Sequence, residues 1–492
     1  MNIQNLEHKS VWSMSDVIPE REPLDGNLTV EAVVIGAGLA GVLTAHFLQE
    51  AGIKTVVLEA SKIGSGQSRN TTAKITSQHG LIYHRLIEEF GIEKAKQYAD
   101  ANEQAIKDYR DIINKYGIDC DFSDSSAWLY SPETSDAVSA EFEAALSLGL
   151  PAYFEKDTEL PFPVEAALKF DNQAMFNPVK FIKAISENLR IYEDTRAIRV
   201  DGGCVETERG NVYGKYIIFT DHYTFVNFPG YYFLRMHQAR SYVVAVKNAT
   251  QLMGMYYGLD DDGLSYRSYG DILLVGGGNH RTGENSEGGQ YDKLFAAAKK
   301  LWPECEYHSA WSAQDCMPVD GIPYIGKFSK SESGWYVATG FQKWGMTSAM
   351  VAARIIRDKI VKGKSPNEEV FAPERFMNMA SMKEEIEEAK QAMKGLAREF
   401  LVPVGRKFVD NLPDGHGGIV ELEGKKVGVY KDEHGNIYAV STRCPHLGCQ
   451  LEWNPDEKSW DCPCHGSRFD FRGNLIDNPA QTNLEHRFEA AE

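Results

Sequence analysis

Hydrophobic and polar positions follow different rhythms in successive parts of the chain. Residues 29–35 (TVEAVVI) form a short apolar run rich in β-branched side chains, which predicts a buried strand. A glycine-rich turn follows, then apolar residues at helical spacing over roughly 40–51, then a second run, KTVVLE, at 54–59. That order predicts a parallel βαβ unit. Helical periodicity returns over 79–116, with Leu81, Leu86, Ile87 and Phe90 on one stripe. From about 150 to 310 the pattern mixes short strands and turns. Two stretches read as returns to the first unit. These are 168–221, ending in the strand KYIIFT, and 315–360, holding YIGKF and the helix TSAMVAARIIRDKI.

The pattern breaks at 361–375 (VKGKSPNEEVFAPER). Ser381 and Glu384 then make a capping box, and Met382, Ile386, Ala389, Met393, Leu396 and Phe400 share one stripe of the helix it opens. A connector helix docked on the main body is expected, against the competing reading of a solvated linker helix. Beyond Pro403 come short alternating strands and Gly- and Asp-rich turns, the pattern of a small β domain. A chain of 492 residues needs two or three domains.

Composition is that of a folded chain, 43% hydrophobic and 25% charged. The excess of 70 acidic over 52 basic residues gives −18, which argues against nucleic-acid and anionic-membrane partners. The N-terminus lacks the apolar core of a signal peptide. No run of about 18 apolar residues could span a membrane. The expectation is a soluble cytoplasmic protein.

Four of the eight cysteines, Cys120, Cys204, Cys305 and Cys316, are scattered and read as reduced core residues. The others fall in two short loops, CPHLGC at 444–449 and CPCHGS at 462–467. Each loop supplies one Cys and one His: Cys444 with His446, and Cys462 with His465. Two thiolates on one iron and two neutral imidazoles on the other make a Rieske-type [2Fe–2S] ligand set. A structural zinc site is the competitor, but zinc fingers pair Cys with Cys and His with His on separate elements. Gly448 and Gly466 let each loop turn tightly.

The loops resemble those of the Rieske iron–sulfur subunits of respiratory quinol:cytochrome c reductases. That resemblance implies a disulfide between Cys449 and Cys464, where the residues alone also allow two free thiols. Ser467 matches a serine of that group, whereas Phe469 stands where the group has tyrosine. Hydrogen bonds to the sulfurs raise the potential, so Phe469 predicts a lower one. Asn478-Pro479-Ala480 replaces the group's Gly-Pro-Ala.

Near the N-terminus, Gly36, Gly38, Leu39, Ala40 and Gly41 lie in a GxGxxG turn between strand and helix, and Glu59 ends the next strand. This context suits a dinucleotide, its pyrophosphate at the helix N-terminus and Glu59 on a ribose hydroxyl. Three later segments carry a resemblance to the glycine oxidase/D-amino-acid oxidase family of FAD enzymes, which includes gamma-glutamylputrescine oxidoreductase. They are 65–74 (SGQSRNTTAK), DGIPYIG at 320–326 and ATGFQKWGMT at 338–347. The resemblance implies non-covalent FAD contacted also by Ala60, Gln67, Ser68, Thr71, Thr72, Ala73, Lys74, Gly340, Trp344, Gly345 and Met346. Phe219-Thr220-Asp221 departs from the family's ATG, and Cys316 reads as packing rather than a flavin attachment. Gly276-Gly277-Gly278 lacks dinucleotide spacing and reads as a strand end or turn.

The implied architecture is an α/β FAD-binding Rossmann-type domain with an interleaved α+β substrate domain, a connector helix and a C-terminal all-β Rieske domain. The oxidoreductase is expected over 1–375, with FAD-binding segments about 28–80, 168–225 and 315–362 and a substrate domain about 81–167 and 226–314. The connector is expected at 376–403 and the Rieske domain at 404–492. Catalytic candidates are Lys343, Trp344, Arg240 and Tyr242, with Arg235 and His237 nearby; an ordinary structural role competes for each. His79 and His84 have the spacing of an iron-ligand pair, but Thr76 stands where a carboxylate or amide would belong, so coincidence is the reading. The resemblance implies oxidation of a C–N bond of an amine or amino acid, with electrons leaving singly through the cluster to an external carrier. Reverse flow, from cluster to flavin, and a non-catalytic electron-transfer or redox-sensing module are the alternatives.

Overall fold

A computed structural model describes residues 8–378, 412–422 and 425–488. The connector expected at 376–403 lies almost wholly outside the described residues.

The apolar runs make the centre of a six-stranded sheet, ordered Tyr324–Lys327, Trp335–Thr339, Tyr216–Phe219, Ala32–Ile35, Thr55–Leu58, Ile191–Tyr192. All neighbours are parallel except the antiparallel edge strand Tyr324–Lys327. Ala32–Ile35 is buried at every position, as a strand covered on both faces must be. Helix Leu39–Glu50 packs on helix Gly345–Lys362, and both enter the main hydrophobic core.

A nine-stranded mixed sheet forms the second layer. Its long strands Met236–Lys247, Ile272–Arg281 and Glu306–Pro318 are antiparallel, with Val243 opposite both Gly276 and Trp311. The middle of the chain is therefore less fragmented than its turns suggest. Ala166–Met175, which opens the 168–221 stretch, pairs in this sheet, and the chain returns to the parallel layer only at helix Pro178–Ser186. Gly276-Gly277-Gly278 lies inside strand Ile272–Arg281 rather than at its end, and glycine is needed at 277 because a Cβ there would meet Leu264 at 2.6 Å. Over 79–116 the helical pattern resolves into Tyr83–Phe90 and Ile92–Tyr116, broken by Gly91 at φ 81°.

The C-terminal domain is two four-stranded antiparallel sheets. One holds His416–Leu422, Lys425–Lys431, Ile437–Ser441 and His486–Phe488; the other holds Glu452–Asn454, Ser459–Asp461, Arg468–Asp470 and Leu475–Asp477. No described helix is long and apolar enough to cross a membrane.

Candidate functional site

The two Cys/His loops have the same turn. In the first, Cys444 N–H donates to Cys449 O and Gly448 N–H to Cys444 O, both at 2.9 Å; in the second, Cys462 donates to Ser467 O and Gly466 to Cys462 O, both at 2.9 Å. Gly448 and Gly466 have φ near 82° and 81°, which glycine adopts without strain. Cys449 and Cys464 are joined as a disulfide, which ties the loops together. These two sulfurs and Cys462 Sγ lie within 4.8 Å of one another, so the bridge flanks the site, leaving Cys444 and Cys462 as the free sulfurs.

The donor set fits a Rieske cluster. The His446 and His465 rings stand 4.9 Å apart and nearly perpendicular. His446 Nδ1 is buried with no hydrogen-bond partner, and burial pushes this imidazole down to about 4, the neutral form a metal ligand needs. Cys462 is drawn toward thiolate by a hydrogen bond from Cys444 and, against the cost of burial, by the N–H groups of His465, Cys464 and Gly466.

The nucleotide turn opens on a cavity of about 370 Å³. Gly36 and Gly41 are required by close approach: Cβ atoms there would meet Thr220 O at 2.8 Å and Gly36 O at 1.9 Å. Glu59 accepts from Ala37 N–H at 2.7 Å and Ser61 N–H at 2.9 Å, and Ser68 Oγ accepts from Leu39 N–H at 2.8 Å. Of the residues expected at a flavin, Gly36, Gly38, Leu39, Ala40, Glu59, Ala60, Gln67, Ser68, Thr71, Thr72, Lys74, Gly340, Trp344, Gly345 and Met346 line the cavity. Gly41 and Ala73 do not; Gly41 serves strand–helix contact, and Ala73 is fully buried. Trp344 stacks on His79 at 4.9 Å, and His79 bonds Tyr98 and Thr76, so this histidine supports the loop from the core. His84 is a surface residue 3.5 Å from Glu88.

The two sites meet. Ile476, Asp477, Asn478 and Gln481 of the β domain line the same cavity. Gln314, also on its wall, donates to the cluster loop, Nε2 to Gly466 O at 2.8 Å, while its N–H donates to Gln67 Oε1 at 2.7 Å. Gln238 Nε2 donates to His465 O at 2.8 Å, and Asn478 Nδ2 donates to Asp221 O at 2.9 Å. A second seam buries charge: Glu457 accepts from Arg240, from Arg468 at 2.7 Å and from Tyr291 at 2.7 Å. Burial would push Glu457 up, but Arg240 and Arg468 override it and hold this carboxyl far below the usual range.

Residues 31–359 match the family FAD dependent oxidoreductase, and residues 404–487 match the Rieske [2Fe-2S] domain. The chain belongs to the FAD dependent oxidoreductase family. It is 34% identical over 489 residues, 96% of each chain, to the Bacillus subtilis (strain 168) protein YhfW, whose name carries the words Rieske 2Fe-2S iron-sulfur protein. In fold it is similar to L-proline dehydrogenase from P.horikoshii (TM-score 0.61, 17% identity, 72% of this chain and 99% of that one). Glycine oxidase from Geobacillus kaustophilus is similar as well (TM-score 0.59, 15% identity, 70% and 98%). This FAD-dependent oxidoreductase thus binds FAD in its N-terminal part and a [2Fe–2S] cluster in its C-terminal domain.

Within this oxidoreductase the four catalytic candidates separate. Lys343 lies on the cavity, its Nζ 2.7 Å from Asp315 and 2.9 Å from Asn279, and Trp344 is beside it. Arg240 is instead committed to Ser312 and Glu457 at the domain seam. Tyr242 touches the cavity, but its hydroxyl lies 3.0 Å from His280 and 3.3 Å from Asn285. Arg235 donates to Pro373 O and lies over Tyr232, and neither it nor His237 lines the cavity. Sequence reading missed Gln238, Gln314, Asn279 and Asp315. A signal existed: Gln238, Arg240 and Tyr242 alternate along one strand opposite Cys316, Gln314 and Ser312, a polar stripe where a core strand would be apolar.

Proposed function

We propose that the protein oxidises a C–N bond of an amine or amino acid at the flavin and passes the electrons singly through the cluster to an external carrier. The observation that carries this reading is the shared wall: residues of both cofactor domains line one cavity, and Gln314 spans from it to the cluster loop, with Gln238 bonded to both behind it. When bound, the flavin supplies a two-electron acceptor and the cluster a one-electron relay. In this reading Gly36, Gly38 and the N-terminus of helix Leu39–Glu50 hold the pyrophosphate, Glu59 the ribose, and Gly340 and Trp344–Met346 the ring. Cys444 and Cys462 hold one iron, and His446 and His465 the other. Cys316 is buried off the cavity with its thiol pushed up to about 12 by burial, which supports non-covalent FAD.

The substrate side is polar and charged. Lys343 and Asp315 form an ion pair at the cavity, with Asn279 and Tyr257 beside them. A carboxylate toward Lys343 and an ammonium toward Asp315 would suit an amino acid. The names of two similar folds, a proline dehydrogenase and a glycine oxidase, support that class. With FAD bound, loss of a hydride from the substrate carbon and of a proton from nitrogen would leave an imine, which water would hydrolyse. The test is anaerobic mixing of the holoenzyme with a panel of amines and amino acids, followed by absorbance. Bleaching of the flavin by a member of the panel supports the reading. If none bleaches it while a reduced ferredoxin does, electrons run from cluster to flavin and the reading fails.

A further inference from the structure

Among the described cluster ligands, Cys444, Cys462 and His465 are at most 4% exposed, whereas His446 is partly exposed. His446 therefore marks where the cluster comes nearest the surface. Its Nε2 lies 2.9 Å from Oδ1 of Asn227, a residue of the other domain. Asn227 opens a loop whose large apolar side chains face outward: Phe228 is 62% exposed, Tyr231 46% and Leu234 43%. Phe228, Tyr231 and Phe233 pack ring on ring, and Phe233 reaches the His465 ring at 6.0 Å. From the cluster domain, Leu447, next to His446, adds another exposed apolar side chain at 39%.

The two segments that build the patch are themselves uncharged, with the exposed Arg443 at its edge beside Gly448. Residues 224–234 (TFVNFPGYYFL) and 444–451 (CPHLGCQL) contain no Asp, Glu, Lys or Arg, in a chain of which 25% is charged. A cluster of exposed apolar side chains of this kind marks an interaction site. It is built by both domains and is continuous with the seam between them, so it exists only when they are docked.

We propose that this patch is the docking surface for a small one-electron carrier protein, which meets the cluster edge at His446 through its own apolar face. The proposal rests on the relay reading only in requiring that the cluster exchange electrons with an outside protein. Each encounter moves one electron between the reduced cluster and the oxidised cofactor of the carrier, and two encounters clear the pair delivered by one C–N oxidation. A soluble protein is favoured over a membrane because the net charge of −18 opposes an anionic bilayer and the aromatic loop itself, 224–234, carries no Lys or Arg.

The test uses holoenzyme reduced anaerobically with dithionite and desalted, so that no substrate is needed. Wild type, Phe228→Ser and the Phe228→Ser/Leu447→Ser pair are mixed with ferricyanide, with cytochrome c and with a ferredoxin, each oxidised. Removing central apolar anchors is expected to slow oxidation by a protein carrier about tenfold in the double variant, with the ferricyanide rate and the EPR spectrum of the cluster unchanged. Equal rates with the carriers, equal loss with ferricyanide, or no exchange between wild type and either protein carrier would overturn the proposal. So would patch-dependent co-sedimentation with phosphatidylglycerol-containing vesicles, which would make the surface a membrane contact. Because the amine step is bypassed, failure here leaves the substrate reading standing, and failure of the amine panel leaves this one standing.

Discussion

Phe469 is fully buried opposite Trp460 in the sheet that follows the second ligand loop. The hydroxyl of Ser467, two residues earlier, donates to Cys444 and accepts from Ala480 N–H at 3.0 Å. A donor on a ligand sulfur favours the reduced, more negative site and raises its potential. Phe469→Tyr is expected to raise the midpoint by about 50 mV and Ser467→Ala to lower it similarly, measured by EPR-monitored redox titration. A midpoint in Phe469→Tyr that is unchanged or lower contradicts this. Lys74 makes a different prediction. Its Nζ donates to Tyr256 O at 2.7 Å and Ser265 Oγ at 2.5 Å, and burial, helped by Arg267, pushes it down to about 7 from an ordinary 10.5. Between these values the unfolded chain binds a proton that the folded one lacks, so this group makes stability rise with pH across that window; below it the cost is complete. Lys74→Met should therefore stabilise the FAD-free protein by about 2 kcal/mol at pH 7 and flatten the rise in its Tm toward pH 10. A destabilised variant with the same slope would show that the amine stays charged.

Strands Met236–Lys247 and Glu306–Pro318 do two jobs. One end shapes the cavity through Ser241, Asp315 and Gln314, and the buried polar stripe Gln238, Arg240 and Tyr242 receives the Rieske domain. Replacing Glu457 by Gln leaves Arg240 without its carboxylate partner in a buried setting. This is expected to cost about 3 kcal/mol, read as a lower midpoint of chemical unfolding. Because the folded carboxyl titrates far below its ordinary 4.5, its contribution is present above that value and lost only as pH falls through the depressed one. The deficit of Glu457→Gln should thus persist from pH 8 down to pH 4, and a deficit that vanishes with added salt would mean the seam is solvated. The stripe also shows where sequence reading stops. The four candidate cluster ligands were legible because each loop's Cys and His lie within four residues, and the nucleotide turn because its glycines recur at a short fixed spacing between a strand and a helix. Arg240 and Tyr242 looked like substrate groups because their partners, Glu457 and Asn454, lie 217 and 212 residues away, and no local pattern carries that distance.

At the scale of the whole molecule, the fold brings the nucleotide turn near the N-terminus and residues 476–481 of the β domain to one cavity, with the cluster loop one hydrogen bond behind its wall through Gln314. Neither the two-layer body nor the small β domain does this alone; Asn478 on Asp221, Gln238 on His465 and Gln314 on Gly466 do it together. The parallel sheet and the cluster domain could be read from apolar runs and paired loops. The docking could not, since it depends on tertiary contacts between polar side chains that any surface could carry. The proposed relay requires electrons to cross that seam within one chain. The direct measurement is freeze-quench EPR after anaerobic mixing with a substrate that bleaches the flavin, repeated over a range of enzyme concentrations. A reduced Rieske signal that follows bleaching at a rate independent of enzyme concentration is the predicted result. A cluster that stays oxidised, or that reduces at a rate proportional to enzyme concentration, would contradict it.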